Sequence, residues 1–85
     1  MKTRYKYIHF TKITDKPKTS EWACRNNKSG AVLGHVRWQI GWRQYIYEPI
    51  TEAIYSAGCL LDIADFIKTL KAEKEKIKEG TDGEA

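Results

Sequence analysis

The chain has no apolar run that approaches the roughly 18 residues needed to span a bilayer. Its N-terminus, residues 1–5, leads directly into alternating residues and lacks both the apolar core and the cleavage site of a secretory signal. The 41% hydrophobic and 31% charged residues are typical of a globular protein. We therefore expect a cytoplasmic domain without a membrane segment.

Cysteine and histidine are scarce, with two residues of each. Cys24 and Cys59 could form one disulfide at most, and a cytoplasmic chain keeps such thiols reduced, usually as small buried hydrophobes. With His9 and His35 they reach four metal ligands by count, but no pair has the short spacing of a structural zinc site. We predict neither a metal site nor a cofactor.

Sequence motifs for catalysis are also lacking. The glycines that precede residue 50 are scattered and form no phosphate-binding loop. We find no convincing Cys–His or Ser–His–Asp set, and 85 residues leave little room for a deep pocket, so we predict no catalytic residue and no enzyme. A core of this size supplies only about 3–5 kcal/mol of net stability, which favours a homo-oligomer.

Charge is present but unevenly distributed within the net +4. Residues 1–50 hold ten lysines and arginines against three acidic residues, whereas residues 51–85 hold five against eight. The cationic half predicts an anionic partner. Its N-terminal basic residues could bind a phosphate backbone by counterion release, or could equally protect a solvated edge strand. These residues are Lys2, Arg4, Lys6, Lys12, Lys16 and Lys18.

Alternating residues and turn signals predict a run of β-strands. Aromatic and β-branched residues over 3–13 predict the first strand, which ends in a polar, proline-containing loop at 14–20. A second strand covers 21–25, and a turn rich in Asn and Gly follows at 26–30. A third strand covers 31–40, where even positions are apolar and face the core.

The third and fourth strands are predicted to form a hairpin. If Gly41 and Trp42 are a two-residue loop, the hairpin has one aromatic face and one polar face. The predicted cross-strand pairs are Ile40 with Arg43, Trp38 with Tyr45, and Val36 with Tyr47. The predicted polar face comprises His35, Arg37, Gln39, Gln44 and Glu48 around Ile46.

The last third of the chain predicts a helix that covers the sheet. A fifth short strand is expected at 53–55, then a helix that begins near Cys59 with Ser56 as its N-cap and ends at Gly80. Its expected buried stripe is Leu60, Ile63, Ala64, Ile67 and Leu70, widened by Cys59, Phe66 and Ile77. The fold class is therefore α+β: an antiparallel β-meander of four to five strands packed against one C-terminal α-helix. We expect a single domain at 1–79 and a flexible tail at 80–85.

Arginine and aromatic residues alternate within the segment 38–47. A guanidinium matches phosphate oxygens and an aromatic ring can stack on a base, so the segment could hold a nucleotide. Alternatively Trp38, Tyr45 and Tyr47 are core residues. In that case Arg43 is held by a carboxylate, Asp62 or Asp65. A tryptophan at a hairpin tip is harder to bury, so we favour a ligand or subunit contact for Trp42.

Three segments of the chain resemble a family of small hypothetical proteins from phages and mobile elements. They are Leu33-Gly34-His35-Val36-Arg37-Trp38, then Trp42-Arg43-Gln44-Tyr45-Ile46-Tyr47, then Cys59-Leu60-Leu61-Asp62-Ile63-Ala64-Asp65-Phe66-Ile67. The resemblance covers residues 20–70 and implies a genomic context without an assigned activity. Some phage proteins of similar size sequester cyclic nucleotide immune signals in oligomeric pockets, which suggests an anti-defence role in the host cytoplasm.

The resulting expectation is a non-enzymatic phage accessory protein that binds a small anionic ligand, such as a nucleotide signal, between subunits. The expected ligand residues are Arg43 and Arg37 on phosphate, Trp42 and Tyr47 on a base, and His35 beside them. One alternative is a DNA- or RNA-binding module that uses the basic sheet and loses affinity steeply with salt. Another is an inhibitor that docks on a host protein through an exposed patch at Trp42.

Overall fold

The computed structural model describes residues 1–15 and 19–84, and the side chains of all these except residues 15 and 77–84. Four strands in the order β1-β2-β3-β4 form an antiparallel sheet that is followed by one helix, so the expected α+β meander is confirmed in its four-strand form. The predicted loop residues 16–18 and the side chain of Ile77 lie outside the described part. The elements are β1 (Ile8–Asp15), β2 (Ser20–Asn26), β3 (Val32–Gln39), β4 (Gln44–Pro49) and α1 (Ala57–Glu84).

Strand β1 begins at Ile8, so the prediction of one continuous strand over 3–13 is wrong. A tight turn brings the preceding residues back onto β1. The amide of Tyr5 donates to the carbonyl of Ile8 (2.8 Å), and the amide of Phe10 donates to the carbonyl of Thr3 (2.8 Å). The phase of the alternation shifts between Tyr7 and Ile8, but aromatic and β-branched residues continue through the turn, and the prediction of one strand rested on that composition.

The core lies between α1 and one face of the sheet, which we call the inner face. Phe66 of α1 is fully buried, with its ring stacked parallel to that of Phe10 at 3.9 Å and edge-on to that of Trp22 at 5.2 Å. Cys24 and Val36 are also fully buried. Burial of these apolar groups is the main favourable term that joins helix and sheet.

The start of α1 agrees with the sequence. Ser56 precedes the first helical residue, and its Oγ accepts a hydrogen bond from the amide of Cys59 (3.1 Å). This bond satisfies one of the amides that a helix start leaves without an intrahelical partner. The end differs: α1 continues past Gly80 to Glu84, so the prediction that this glycine ends the helix is wrong.

The buried side of α1 is rotated relative to the predicted stripe. Ile63, Phe66 and Leu70 are buried as expected, with Cys59 and Ile67 partly buried beside them. The side chain of Leu60 is 54% exposed and Ala64 is exposed, so the prediction that both face the sheet is wrong. The helix carries apolar residues on two sides, and only one side can face the sheet.

The segment between β4 and α1 contains no strand within the described residues, so the predicted fifth strand at 53–55 is wrong. A side chain holds this segment instead. The hydroxyl of Tyr55 donates to the carbonyl of Leu33 and also bonds the hydroxyl of Tyr47 (2.7 Å). These bonds attach the segment to the inner face without a β-ladder.

Candidate binding surface at the β3–β4 hairpin

The hairpin register is as predicted, although its loop is longer. Gln39 and Gln44 form the last pair, so the loop comprises the four residues 40–43 instead of two, and the predicted pairing of Ile40 with Arg43 is wrong. A two-residue loop would only extend this register by one more pair, so the residue pattern is the same for both loops. The confirmed pairs are Trp38 with Tyr45 and Val36 with Tyr47.

The four-residue loop, which we call the hairpin tip, is closed by its own backbone. The carbonyl of Gln39 accepts hydrogen bonds from the amides of Trp42 (3.2 Å) and Arg43 (2.8 Å). Arg43 has a φ of 54°, in the left-handed region, and no other non-glycine residue in the described part has a positive φ. This conformation costs a side-chain-bearing residue about 1–2 kcal/mol. The loop therefore holds an arginine where glycine or asparagine would be less strained.

The side chains of the hairpin tip are open to solvent. Trp42 is 68% exposed and Ile40 is 80% exposed, which corrects the prediction that Ile40 faces the core. Arg43 is exposed, and within the described residues its side chain has no hydrogen bond or ion pair. The carboxylate of Asp65 instead accepts from the hydroxyl of Tyr5 (2.9 Å). The apolar side chains of Trp42 and Ile40 thus lie at the hairpin tip together with the positive charge of Arg43, which no described residue compensates.

Arg37 and His35 lie on the outer face, the sheet face that α1 does not cover. Arg37 forms an ion pair with Glu48 through two hydrogen bonds, of which the bond from Nη2 is 3.0 Å long. The pair holds the pKa of the Glu48 carboxyl below its usual value and raises the pKa of Arg37. His35 lies directly opposite Glu48 in the register. The positive charge of Arg37 is therefore compensated within the chain.

Tyr47 lies on the inner face and is engaged there. Because Tyr55 gives its proton to the carbonyl of Leu33, Tyr47 donates its own proton to the oxygen of Tyr55. Burial, more than the bond to Tyr55, raises the pKa of Tyr47 far above its usual value. Its ring packs partly buried against the core, so the ring is not free to stack on a base.

The five predicted ligand residues thus occupy three places. Trp42 and Arg43 lie together at the hairpin tip, Arg37 and His35 on the outer face, and Tyr47 on the inner face. One chain cannot bring all five to a single small ligand. The sequence reading missed Ile40 as an exposed member of the tip. No pattern signals this, since Ile40 continues the apolar alternation of β3.

The cysteines and His9 have structural surroundings. Burial raises the pKa of the Cys24 thiol to about 11, so this residue remains protonated and unreactive. Both Cys24 and Cys59 are free. His9 bonds Asn27 through Nδ1 and Oδ1 (2.6 Å), and because an amide oxygen only accepts, His9 is the donor. In the residues described, no three His, Cys, Asp or Glu side chains are grouped as metal ligands.

The basic residues near the N-terminus lie over aromatic rings. The ammonium of Lys2 is 4.4 Å from the ring centre of Tyr5, and that of Lys12 is 5.3 Å from the ring of Trp22. Contacts of this kind already satisfy part of each positive charge. Lys6 lies over Tyr7 in the same way, Arg4 donates to Asn27, and Lys16 and Lys18 lie outside the described part.

Among the described residues, the outer face carries no Phe, Tyr or Trp ring for base stacking, and its aromatic rings are the imidazoles of His9 and His35. Its arginines are engaged, since Arg25 donates to Thr11 (3.2 Å) and to the carbonyl of Gly30 (2.8 Å), and Arg37 is paired with Glu48. This face therefore offers little for a nucleic acid to stack on or pair with. By register it includes His9, Thr11, Glu21, Ala23, Arg25, His35, Arg37, Gln39, Gln44, Ile46 and Glu48.

Comparisons with protein-family models, with curated proteins and with solved structures found no match. The resemblance to small phage proteins therefore stays a prediction. Among the described residues, no helix combines the length and the apolar character required to cross a bilayer.

Proposed function

We propose that this is a non-enzymatic binding protein that inserts its hairpin tip into an apolar groove, bordered by carboxylates, on a partner protein. The observation that carries the proposal is the joint exposure of Trp42 and Ile40 beside the unpaired guanidinium of Arg43. Tryptophan and arginine dominate the energetics of protein interfaces, where a few such side chains supply most of the affinity.

The shape of the tip favours a protein partner over a small ligand. A hairpin tip projects from the sheet and is convex, whereas small-molecule sites are concave and enclose most of the ligand surface. Because Arg37 and Tyr47 are separated from the tip, the five predicted ligand residues do not line one concave site within a chain. A convex element fits the groove of a larger partner. The resemblance to phage proteins predicts that this partner belongs to a host cell.

The charge of the chain indicates the character of the groove. Arg43 is uncompensated within the described residues, and the chain as a whole carries a net charge of +4. A positive surface accelerates association with a negative one and suppresses association with other positive surfaces. Carboxylates at the border of the groove would meet Arg43, while Trp42 and Ile40 enter its apolar centre.

A nucleotide is the second candidate, because two adjacent residues of the hairpin tip favour it. The indole of Trp42 and the guanidinium of Arg43 are neighbours and could hold a base and a phosphate. A second surface, such as another subunit, would have to close over the ligand. A DNA or RNA module is less well supported, since the described residues of the outer face include no Phe, Tyr or Trp ring and its arginines are engaged.

Affinity capture with tip variants tests the proposal. Wild-type protein, Trp42→Ala and Arg43→Ala would be immobilised and exposed to an extract of the cells in which the protein is made. Quantitative mass spectrometry should find one acidic partner that the wild type enriches and both variants lose. Arg37→Ala is the matched control for charge, and Tyr7→Ala is the control for an exposed aromatic ring, 56% exposed and outside the tip. A partner retained by both tip variants would contradict the proposal.

A thermal-shift panel separates the other candidates. Ligands that bind only the native state raise its melting temperature by mass action. A rise of several degrees with one cyclic or linear nucleotide, retained in salt and lost in Arg43→Ala, would move the function to nucleotide binding. A rise with short DNA that disappears with added salt would move it to nucleic-acid binding.

A further inference from the structure

Helix α1 has a second apolar side that faces solvent. Ala57, Leu60, Leu61 and Ala64 follow one another at helical spacing, and all four are exposed, with Leu60 at 54% and Leu61 at 71%. Because successive residues are about 100° apart around a helix, this side lies roughly 130° from the buried one. We call these four residues the outer helix patch.

Among the helix side chains that the structure describes, the large exposed apolar ones, Leu60 and Leu61, lie in the first half. Beyond Ala64 the same side carries Lys68, Lys71 and Glu75, as expected for a solvated helix. Before the helix, Ile54 is 90% exposed and extends the patch along the chain. A localised apolar surface with a charged border is typical of an interaction site.

We propose that the outer helix patch is the interface of a homodimer in which two copies of α1 pack antiparallel about a twofold axis between Leu60 and Leu61. The order of large and small residues along the patch supports a second copy of α1 as its partner. On one side of the axis Leu60 is three residues from Ala57, and on the other side Leu61 is three residues from Ala64. Two antiparallel copies then place Leu60 against Leu61 and the two alanines against each other.

Small residues at both ends of the patch also allow the two helices to approach closely. Ala57 and Ala64 present little side-chain volume, so the central leucines of one copy can fit between them on the other. Antiparallel helices additionally place their macrodipoles in opposite directions, which is the favourable arrangement. The patch is therefore complementary to itself in both shape and dipole.

Charge is complementary in the same arrangement. With the axis between residues 60 and 61, Lys68 of one copy comes opposite the segment that precedes α1 in the other copy. That segment carries Glu52, and both side chains are exposed. Each of the two symmetry-related borders would then hold one lysine and one glutamate at the edge of an apolar centre, which is the usual layout of a protein interface.

The area that a stable dimer buries is compatible with the size of this surface. A stable dimer buries about 800 Å² on each partner. That is roughly an eighth of the 6178 Å² that this chain exposes, and it requires Ile54 and the preceding segment in addition to the helix. A domain of this size gains stability from such association because its own core is small.

The proposed interface is separate from the hairpin tip and does not depend on the proposed function. Helix α1 begins near the Gly34–Pro49 end of the hairpin, whereas the tip lies beyond the Gln39–Gln44 pair, roughly 17 Å along the strands. A dimer formed through the helix therefore leaves two tips free, at opposite ends of the assembly, and each can engage its own partner molecule.

Sedimentation equilibrium of three proteins tests the interface. Wild type should have about twice the 9.9 kDa mass of one chain, and Leu61→Lys should have the mass of one chain. Gln44→Lys, at an exposed residue on the outer face of the sheet, which α1 does not cover, should remain a dimer. Far-ultraviolet circular dichroism that matches wild type shows that Leu61→Lys is folded, as expected for a side chain that is 71% exposed.

Three outcomes would overturn the proposal. They are a wild type that remains monomeric at the highest concentration, a dimeric Leu61→Lys, or a dimer that dissociates in Trp42→Lys, which would place the interface at the tip. An exchange of charges between the two borders tests the antiparallel alignment directly. Lys68→Glu should weaken the dimer, and the combination with Glu52→Lys should restore it; failure of the pair to restore it would exclude the antiparallel alignment.

Discussion

The phenol ring of Tyr47 lies against the backbone of Gly34 on the neighbouring strand and leaves no space for a side chain there. A Cβ added at Gly34 would be less than 3.0 Å from the ring carbon and the hydroxyl of Tyr47, and from the carbonyl oxygen of Glu48. This close approach lets the hydroxyl of Tyr47 meet that of Tyr55. The glycine in β3 thus makes room for the contact that attaches the segment before α1 to the sheet.

Gly34→Ala should therefore destabilise the fold. The added methyl group cannot be accommodated by movement of a flexible side chain alone, because one of its neighbours is the backbone carbonyl of Glu48. We expect a loss of about 1–3 kcal/mol in the free energy of unfolding, the usual cost of overpacking. Urea denaturation measures it. Gly41→Ala is the matched control, since nothing lies within 4 Å of its added Cβ, and equal stability of the two variants would contradict the prediction.

The cap of α1 gives a second prediction. Ser56→Ala removes the oxygen that accepts from the amide of Cys59, and the loss of an N-cap typically costs about 1 kcal/mol. The midpoint of urea denaturation should fall accordingly. Ser56→Asp keeps an acceptor at the same place and adds a charge that suits a helix start, so it should retain wild-type stability. If the aspartate variant lost as much as the alanine variant, the cap would not be the cause.

Much of the fold was predictable because strands and helices impose short periods on the sequence. Alternation along β3 and β4 determines which residues share a face, so the Trp38–Tyr45 pair could be predicted without knowledge of the loop. The turn before β1 was missed because aromatic and β-branched residues continue through it, and the four-residue loop was missed because both loop lengths give the same register. The rotation of α1 was missed because the predicted stripe combined residues from two apolar sides, Ile63 from one and Leu60 from the other.

The candidate site was predictable only in part, for a related reason. A tryptophan at a hairpin tip cannot reach the core of its own chain, and Trp42 is exposed as expected. The pairing of Arg37 with Glu48 requires a diagonal contact between strands, which the register allows but does not enforce. The sequence therefore indicated the exposure of Trp42 correctly, but it grouped with Trp42 other residues that the sheet separates from it.

Alkaline pH should destabilise the protein. Burial raises the pKa of Cys24 from 9.0 to about 11 and also raises the pKa values of Tyr5, Tyr47 and Tyr55. The folded chain keeps these protons at a pH where the unfolded chain releases them. This stabilisation is complete below pH 9 and is lost as the pH rises towards 11.

The urea midpoint should accordingly be lower at about pH 10.5 than at about pH 8. Tyr47→Phe keeps the ring while it removes one of the titrating groups, so its midpoint should fall less over the same range. A wild-type midpoint that is the same at both pH values would contradict the raised pKa values. A midpoint that rises would indicate that these hydroxyl and thiol groups ionise more easily in the folded chain.

Arg43 gives the prediction that best separates function from stability. Its left-handed φ of 54° disfavours arginine, whereas asparagine tolerates this region. Because the guanidinium has no partner among the described residues, Arg43→Asn should increase the free energy of unfolding, by about 0.5–1 kcal/mol. The same variant should lose the partner that the wild type captures. Arg43→Lys keeps both the charge and the strain, so it should have wild-type stability and retain part of the binding. A less stable Arg43→Asn would instead mean that the guanidinium stabilises the fold by more than the left-handed backbone costs.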